Sequence, residues 1–414
     1  MFSPRIFFIL FLSFLGDRGL CLVVPLTPLV RRKHHQSQAW ALTRPTLLQQ
    51  LQRRSLPFLK AAVLNYSDFR GHKTYFEVYS GLKNKNPEVI LIHGFGCSTV
   101  YWRETIRCLQ EAGYTVHAID LLGQGKSDKP GKSDGITYSI NLWAQQVDDY
   151  AKENISSTKN VVLVGNSMGS LVALAAATGD YAATTTSDGS YEECFLRRRT
   201  TGVGMYNCGI GMNSQNVEYD FEGIQRVLVS ALFAVLNTIV FGNVPLLTFA
   251  LDKVVTKELL RNILTGLYQY ATDHRVDEAL IDSFYYPAKD PGSPEALSQI
   301  YVNEPGATPW EIYKTHEELL SSQIPIHLVW GVHDGVTPLS GSVGSFFEGL
   351  ALKKDTNISM DKLDAGHVPF DEVPSCNKRM VKWLNNISSR NLALPPSFFG
   401  LADWKLPFVS FMVK

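Results

Sequence analysis

The apolar run Asn160-Val161-Val162-Leu163-Val164 passes without a break into Gly165-Asn166-Ser167-Met168-Gly169, and that into Leu171-Val172-Ala173-Leu174-Ala175-Ala176-Ala177. A short valine-rich run reads as a buried strand and the leucine- and alanine-rich run as a helix. The G-x-S-x-G pattern therefore falls on a sharp strand-to-helix turn, which constrains the chain more than any other feature. Such a turn holds a serine in a strained backbone conformation with its hydroxyl exposed, and leaves room only for glycine on either side of it. The helix that starts behind Ser167 aims its unpaired N–H groups at any oxyanion formed there.

A serine hydroxyl is a weak nucleophile near neutral pH, so the pattern requires a base, an acid that orients the base, and oxyanion donors. With a serine at such a turn, the acid and then the histidine follow in chain order. Residues 324–331 read as a buried strand, and Asp334 lies on the loop leaving it (Val332-His333-Asp334-Gly335), which makes it the acid candidate. Residues 357–360 lead into Leu363-Asp364-Ala365-Gly366-His367-Val368-Pro369-Phe370, followed by a helix over 373–387; His367 is the base candidate. One oxyanion donor is the N–H of Met168, the residue after the nucleophile. The strand over 88–92 is followed by His93-Gly94-Phe95-Gly96, and the second donor is assigned to the N–H of Phe95. His93 is expected to brace that loop.

The chain has 414 residues, 45% of them hydrophobic, enough for a large core. Its 39 basic and 39 acidic residues leave no net charge, so nothing points to nucleic acid. Six cysteines at positions 21, 97, 108, 194, 208 and 376 show no C-x-x-C spacing and suggest neither a zinc site nor a disulfide framework.

Strands are expected over 61–66 and 73–79, joined by a turn at Arg70-Gly71-His72, and over 115–119; helices are expected over 99–112 and 139–154. The loop Asp120–Asp128 contains Gly123-Gln124-Gly125-Lys126-Ser127 without Walker spacing and reads as a surface turn near the active site. Alternating strands and helices imply an α/β fold with a mostly parallel central sheet flanked by helices. A polar insertion occupies 180–200, and the sheet resumes at 203–207. The organisation expected is a targeting segment over 1–60, core over 61–212, a helical cap over 213–322 inserted before the acid-bearing strand, core again over 323–390, and a tail over 391–414.

The cap is very apolar, with Val227-Leu228-Val229-Ser230-Ala231-Leu232-Phe233-Ala234-Val235-Leu236 running on to Ile239-Val240-Phe241. Asn237 and the Gly242-Asn243-x-Pro245 break argue against a transmembrane helix. Packing within the cap, a greasy substrate tunnel, and peripheral docking on a membrane surface are the readings left open. At the N-terminus, Ile6–Leu15 resembles a signal-type apolar segment, and a basic stretch free of acidic residues from Arg18 to Ser67 follows. This is similar to the two-part targeting of algae with complex plastids; the secretory pathway and a membrane anchor are the alternatives.

Leu121-Leu122-Gly123-Gln124-Gly125-Lys126-Ser127, the elbow, and Gly366-His367-Val368-Pro369-Phe370-Asp371-Glu372-Val373-Pro374 resemble the pheophytinase and chlorophyll-dephytylase-like branch of the α/β-hydrolases over about 61–387. The resemblance implies an α/β-hydrolase fold and hydrolysis of the phytyl ester of a chlorophyll-type pigment in plastids, with no metal and no cofactor. The matching catalytic residues are Ser167, Asp334 and His367. Ser170 stands where that pattern tends to have a second glycine, and residues 180–200 have no counterpart. Haloalkane dehalogenases and epoxide hydrolases of this fold carry an aspartate at the elbow, which Ser167 argues against. Lipases, thioesterases and carbon–carbon bond hydrolases keep the serine and are the alternative enzymes; a catalytically silent binding protein on the same fold is the alternative outside enzymology.

Overall fold

The computed structural model describes residues 63–393 except 82, 84, 182–193, 214, 271–274 and 355. Among the described residues, eight strands form one sheet: β1 Val63–Phe69, β2 His72–Tyr79, β3 Glu88–Ile92, β4 Val116–Ile119, β5 Val161–Asn166, β6 Thr200–Tyr206, β7 Ile326–Gly331 and β8 Ile358–Leu363. Their order across the sheet is β1-β2-β4-β3-β5-β6-β7-β8. The β1–β2 and β2–β4 pairs are antiparallel, and every other neighbouring pair is parallel.

Alternation along the central strands explains the two cores. In β5, Val161 and Leu163 face one side and Val162 and Val164 the other; in β3, Ile90 and Ile92 oppose Val89 and Leu91 in the same way. All eight of these side chains are fully buried. Period-two alternation feeds both faces of a parallel sheet covered by helices on both sides, which is why these strands read as unbroken apolar runs. The helix Met168–Thr178 behind β5 is buried at every position, and its alanines at 173 and 175–177 let it lie close against the sheet and the helix Ile140–Asn154. Ser139 caps the latter helix, its hydroxyl accepting from the Leu142 N–H.

Several boundaries differ from the sequence reading. The helix expected over 99–112 is a 3-10 turn, Thr99–Trp102, followed by an α-helix, Arg103–Ala112. β6 begins at Thr200 rather than at 203, because the helix Phe195–Arg199 precedes it, anchored by the Asp148 carboxylate accepting from the Leu196 and Phe195 N–H groups. Asp120–Asp128 is not a surface turn: Leu121, Leu122, Gln124 and Ser127 are buried, and the Asp120 carboxylate accepts from the backbone N–H groups of Thr99 and Lys126. A loop can be buried when side chains satisfy its backbone groups, and composition alone does not show that. Between Tyr206 and Ile326 the described residues are helical or irregular, from the 3-10 turn Gln215–Asp220 to the helix Glu317–Ser322. Residues 1–60, most of the 180–200 insertion and the tail beyond 393 lie outside the described residues.

Candidate active site

Parallel register aligns the C-terminal ends of five strands along one edge of the sheet. Ile92 pairs with Gly165, Asn166 with Tyr206, Tyr206 with Val329, and Gly331 with Leu363. The loops leaving those ends carry His93–Gly96, Ser167, Asn207, Asp334 and His367. This is the edge where ligands bind in open α/β sheets.

Ser167 sits at the end of β5 with φ 54° and ψ −125°, a conformation that costs a non-glycine residue about 1–3 kcal/mol and persists only where its surroundings impose it. They do so here. The Ser167 N–H donates to Tyr206 O at 2.9 Å, and Ser170 N–H donates back to Ser167 O at 3.0 Å. The Ser170 hydroxyl closes the turn on Gly165 O at 2.8 Å. A Cβ at Gly165 would lie 2.1 Å from Gly169 O, and one at Gly169 would lie 2.3 Å from Ile92 O, so neither position admits a side chain. Ser167 is half-exposed between buried neighbours on both sides.

Asp334 lies three residues beyond β7 with its carboxylate fully buried. It accepts five hydrogen bonds. On Oδ2 the donors are His367 Nδ1 at 2.7 Å, Asn207 Nδ2 at 2.5 Å and the Thr337 hydroxyl at 2.7 Å. On Oδ1 they are the N–H groups of Val336 at 2.7 Å and Thr337 at 3.2 Å. Burial by itself pushes the Asp334 pKa up; the facing His367 ring and the hydrogen bonds outweigh it and hold the carboxyl below its usual value. An ionised Asp334 makes Nδ1 the protonated nitrogen of His367 and leaves the Nε2 lone pair free.

The His367 loop is held from two sides. Its N–H donates to Leu267 O at 2.7 Å, and its carbonyl accepts from Asn166 Nδ2 at 3.3 Å, which ties it to the residue preceding the serine. Asp334 and His367 are thus hydrogen-bonded to each other, and His367 is joined through its backbone to the elbow. Ser167, by contrast, is placed by the elbow and makes no side-chain hydrogen bond to the His367 ring among the described residues. Such bonds are often long in a free enzyme and shorten on binding substrate.

Phe95, Ser167 and Met168 line one cavity of about 100 Å³, together with Gly209, Val217 and Tyr301. The loop bearing Phe95 lies directly against the elbow: a Cβ on Gly94 would be 3.2 Å from both Ser167 Cβ and Asn166 O. His93 braces that loop, as its sequence position suggests. It is fully buried, with Nδ1 bonded to Gly94 O at 2.7 Å and Nε2 accepting from Leu121 N–H at 3.1 Å. Burial lowers its pKa to about 4, so the ring is neutral and suited to that acceptor role.

Sequence reasoning did not find Asn207, Thr337 or Gln124. Gln124 Oε1 accepts from the Gly96 N–H at 2.6 Å and so links the buried 120–128 loop to the residue after Phe95. Asn207 carried one usable signal, its place directly after a strand at the site-bearing edge of the sheet.

The family model described as alpha/beta hydrolase fold matches residues 87–180, the stretch with the Phe95 loop and the elbow. A pimeloyl-[acyl-carrier protein] methyl ester esterase of Vibrio atlanticus is 30% identical over 97 residues, 23% of this chain and 33% of that protein. The Arabidopsis thaliana protein named "Probable lysophospholipase BODYGUARD 4" is 36% identical over 99 residues, 23% of this chain and 22% of that protein. The matched stretch thus spans a third or less of these curated relatives. Among solved structures, the epoxide hydrolase CorEH superposes with a TM-score of 0.56 at 18% identity, over 79% of this chain and 100% of that one. Sheet order, elbow and superposition agree: this chain has the α/β-hydrolase fold.

Proposed function

We propose that this protein is a serine hydrolase that cleaves a hydrophobic carboxylic ester through an acyl-enzyme. The observation that carries the reading is the buried Asp334–His367 hydrogen bond, at the same sheet edge as a serine on a strained elbow that lines a cavity. Ser167 Oγ attacks the ester carbonyl carbon while His367 Nε2 takes its proton and Asp334 holds the ring in the useful tautomer. The N–H groups of Phe95 and Met168 receive the oxyanion; each such donor contributes about 3 kcal/mol. His367 returns the proton to the departing alcohol, the C–O bond breaks, and water repeats the sequence to release the acid and restore Ser167.

The finer proposal is that the ester is the phytyl ester of a chlorophyll-type pigment. The 121–127 and 366–374 blocks and the apolar cap support it. The cavity of about 100 Å³ is smaller than a pigment ester, so most of such a substrate would extend beyond it. The names of the relatives, an esterase and a lysophospholipase, support ester hydrolysis without favouring the pigment. The aspartate-nucleophile chemistries of dehalogenases and epoxide hydrolases are disfavoured by Ser167. The same proposal puts the protein in a plastid by way of residues 1–60; a fluorescent protein fused to those residues and found in secretory compartments would overturn that part.

The deciding experiment is labelling with a fluorophosphonate probe, followed by incubation with pheophytin, chlorophyll, a lysophospholipid and a triglyceride. Ser167→Ala is expected to abolish labelling and to reduce turnover by roughly 10⁶-fold without unfolding the protein. A Ser167→Ala variant that keeps most of the activity sinks the proposal. Hydrolysis of the lysophospholipid or the triglyceride but of neither pigment keeps the hydrolase and removes the pigment.

A further inference from the structure

The cap helix Gly223–Leu236 continues through a π-helical turn, Asn237–Phe241, to give 19 residues of mean hydropathy 1.9, with none of the helix buried. Packing within the cap, one of the readings left open by the sequence, does not describe it. Ile224, Val227, Leu228, Val235 and Ile239 are between 53% and 76% exposed. At about 100° per residue they fall on one arc covering roughly a third of the helix circumference. Leu246 and Phe249 of the adjoining helix Val244–Phe249 are exposed as well. A contiguous apolar face of this kind marks an interaction site.

The single charged residue of the helix is turned away from that face. Arg226 donates to Glu218 Oε1 at 2.9 Å, and the Ser230 hydroxyl is bonded to the same carboxylate. The Thr238 hydroxyl is satisfied within the helix by Ala234 O. Gln225 and Arg226 are exposed outside that arc, and the one polar side chain within it, Thr238, has its hydroxyl bonded inside the helix, so the arc itself presents uncharged, mainly hydrocarbon surface, suited to acyl chains rather than to a charged partner surface.

The face is continuous with the candidate active site. Phe241, at the helix end, stacks on Tyr301 at 3.8 Å, and Tyr301 meets Phe95 edge-on at 5.4 Å; Tyr301 and Phe95 line the cavity with Ser167. At the other end, the turn Gln215–Asp220 contributes Val217 and Asp220 to the same cavity. Both ends of the helix are thus fixed to one folded body, with Asp220 accepting from Ser342 N–H at 2.7 Å. That geometry forbids the helix to cross a bilayer and allows it to lie in one face of it.

We propose that Ile224, Val227, Leu228, Val235 and Ile239 dock this protein on a lipid bilayer, so that a hydrophobic ester passes from the acyl chains to Ser167 along Phe241 and Tyr301. The proposal rests on the hydrophobic-ester reading above and adds where the substrate is taken from. The occupant is lipid; a second copy of the chain is the rival.

The test uses the full chain. Because residues 1–62 contain another apolar stretch, the contact is probed at the helix itself. Leu228→Trp is mixed with phosphatidylcholine vesicles carrying a nitroxide on the acyl chain, and its fluorescence is compared with that of the parent. The introduced tryptophan is expected to be quenched by the acyl-chain nitroxide. In parallel, Val227→Glu/Val235→Glu is expected to lower the rate on an ester dissolved in vesicles about a hundredfold, through weaker binding, and to leave kcat/KM for a short soluble ester within about twofold of the parent. An unquenched tryptophan at this position, or equal rates of parent and double variant on the vesicle-borne ester, overturns the proposal. So does a stable dimer in solution that hides residue 228 from the nitroxide. If the soluble ester is hydrolysed by neither protein while the introduced tryptophan is still quenched, the hydrolase reading fails and the docking stands.

Discussion

Asn207 donates from Nδ2 to Asp334 Oδ2 at 2.5 Å while its Oδ1 accepts from the Gly331 N–H at 3.1 Å. The residue is fully buried just past β6, with φ 43°, a left-handed conformation that asparagine tolerates better than most residues. Its amide therefore joins β6, β7 and the acid candidate in one piece. Asn207→Ala removes a bond to a charged group worth about 1.5–3 kcal/mol, and a fall in kcat/KM of roughly 10- to 100-fold is expected with the fold retained by circular dichroism. Asn207→Asp sets a second carboxylate against Asp334 and is expected to be worse than alanine. Unchanged steady-state kinetics for Asn207→Ala on a soluble ester would show that the contact has no part in positioning Asp334.

The contrast between Asn207 and Asp334 shows how much of the site was legible in the sequence. Ser167, Asp334 and His367 each follow a strand signal in the expected order, so local pattern sufficed to nominate them. Asn207 and Gln124 act only through partners brought close by the sheet, Asn207 being 127 residues from Asp334, and beyond the place of Asn207 directly after a strand no local pattern announces that. The alternating and unbroken apolar strands were readable because burial on both faces imposes their composition. The cap helix was harder, since hydropathy reports the tendency to leave water and not whether protein or lipid answers it. The 120–128 loop misled because its burial depends on Asp120 and Gln124 accepting backbone N–H groups across the fold.

Gln124 offers a test of the oxyanion role proposed for the Phe95 loop. Gln124→Met keeps length and burial but leaves the Gly96 N–H without its 2.6 Å acceptor. An unpaired buried donor costs about 1–3 kcal/mol; the Gly96 N–H is partly buried, so the cost lies at the low end of that range, and it falls on the loop that carries Phe95. The expected result is a lower melting temperature and a kcat reduced about tenfold with KM little changed, because an oxyanion donor acts mainly in the transition state. A variant with parental kcat and only a lower melting temperature would make Gln124 a purely structural residue.

Glu372 links the cap to the His367 loop. Its Oε2 accepts from the Gly366 N–H at 2.7 Å and its Oε1 from the Tyr270 N–H at 2.6 Å. Next to it, Asp371 accepts from the Tyr268 hydroxyl at 2.8 Å and pairs with Arg103. Glu372→Ala breaks both backbone bonds at once. Faster amide exchange is expected at Gly366 and Tyr270, together with roughly tenfold lower kcat/KM on a soluble ester, since the loop that aims the His367 ring is loosened. Parental exchange at both amides would refute the link.

His93 and Asp120 make opposite contributions to stability as pH changes. Burial depresses the His93 pKa from 6.5 to about 4, partly offset by its bond to Gly94 O, so the folded state holds the ring neutral. Between about pH 6.5 and 4 the unfolded chain binds this proton and the folded one does not. The His93 contribution is therefore complete above about 6.5, is lost as pH falls through about 4, and amounts to about 3 kcal/mol. Burial raises the Asp120 pKa from 3.8 to about 7 despite its bonds from Lys126 and Thr99 N–H. Its contribution is present below about 3.8 and lost as pH rises through about 7. The two nearly share a window and oppose each other across 3.9 Å. Asp120→Asn removes one of them, so the variant is expected to lose stability on acidification from about pH 6.5 to 4 more steeply than the parent, measured by urea unfolding at each pH. In the parent, nitrogen NMR of the His93 ring is expected to show an Nδ1–H neutral imidazole down to about pH 5. A ring that titrates at its ordinary value, or a parent slope as steep as that of the variant, would refute this account of how the Phe95 loop is braced.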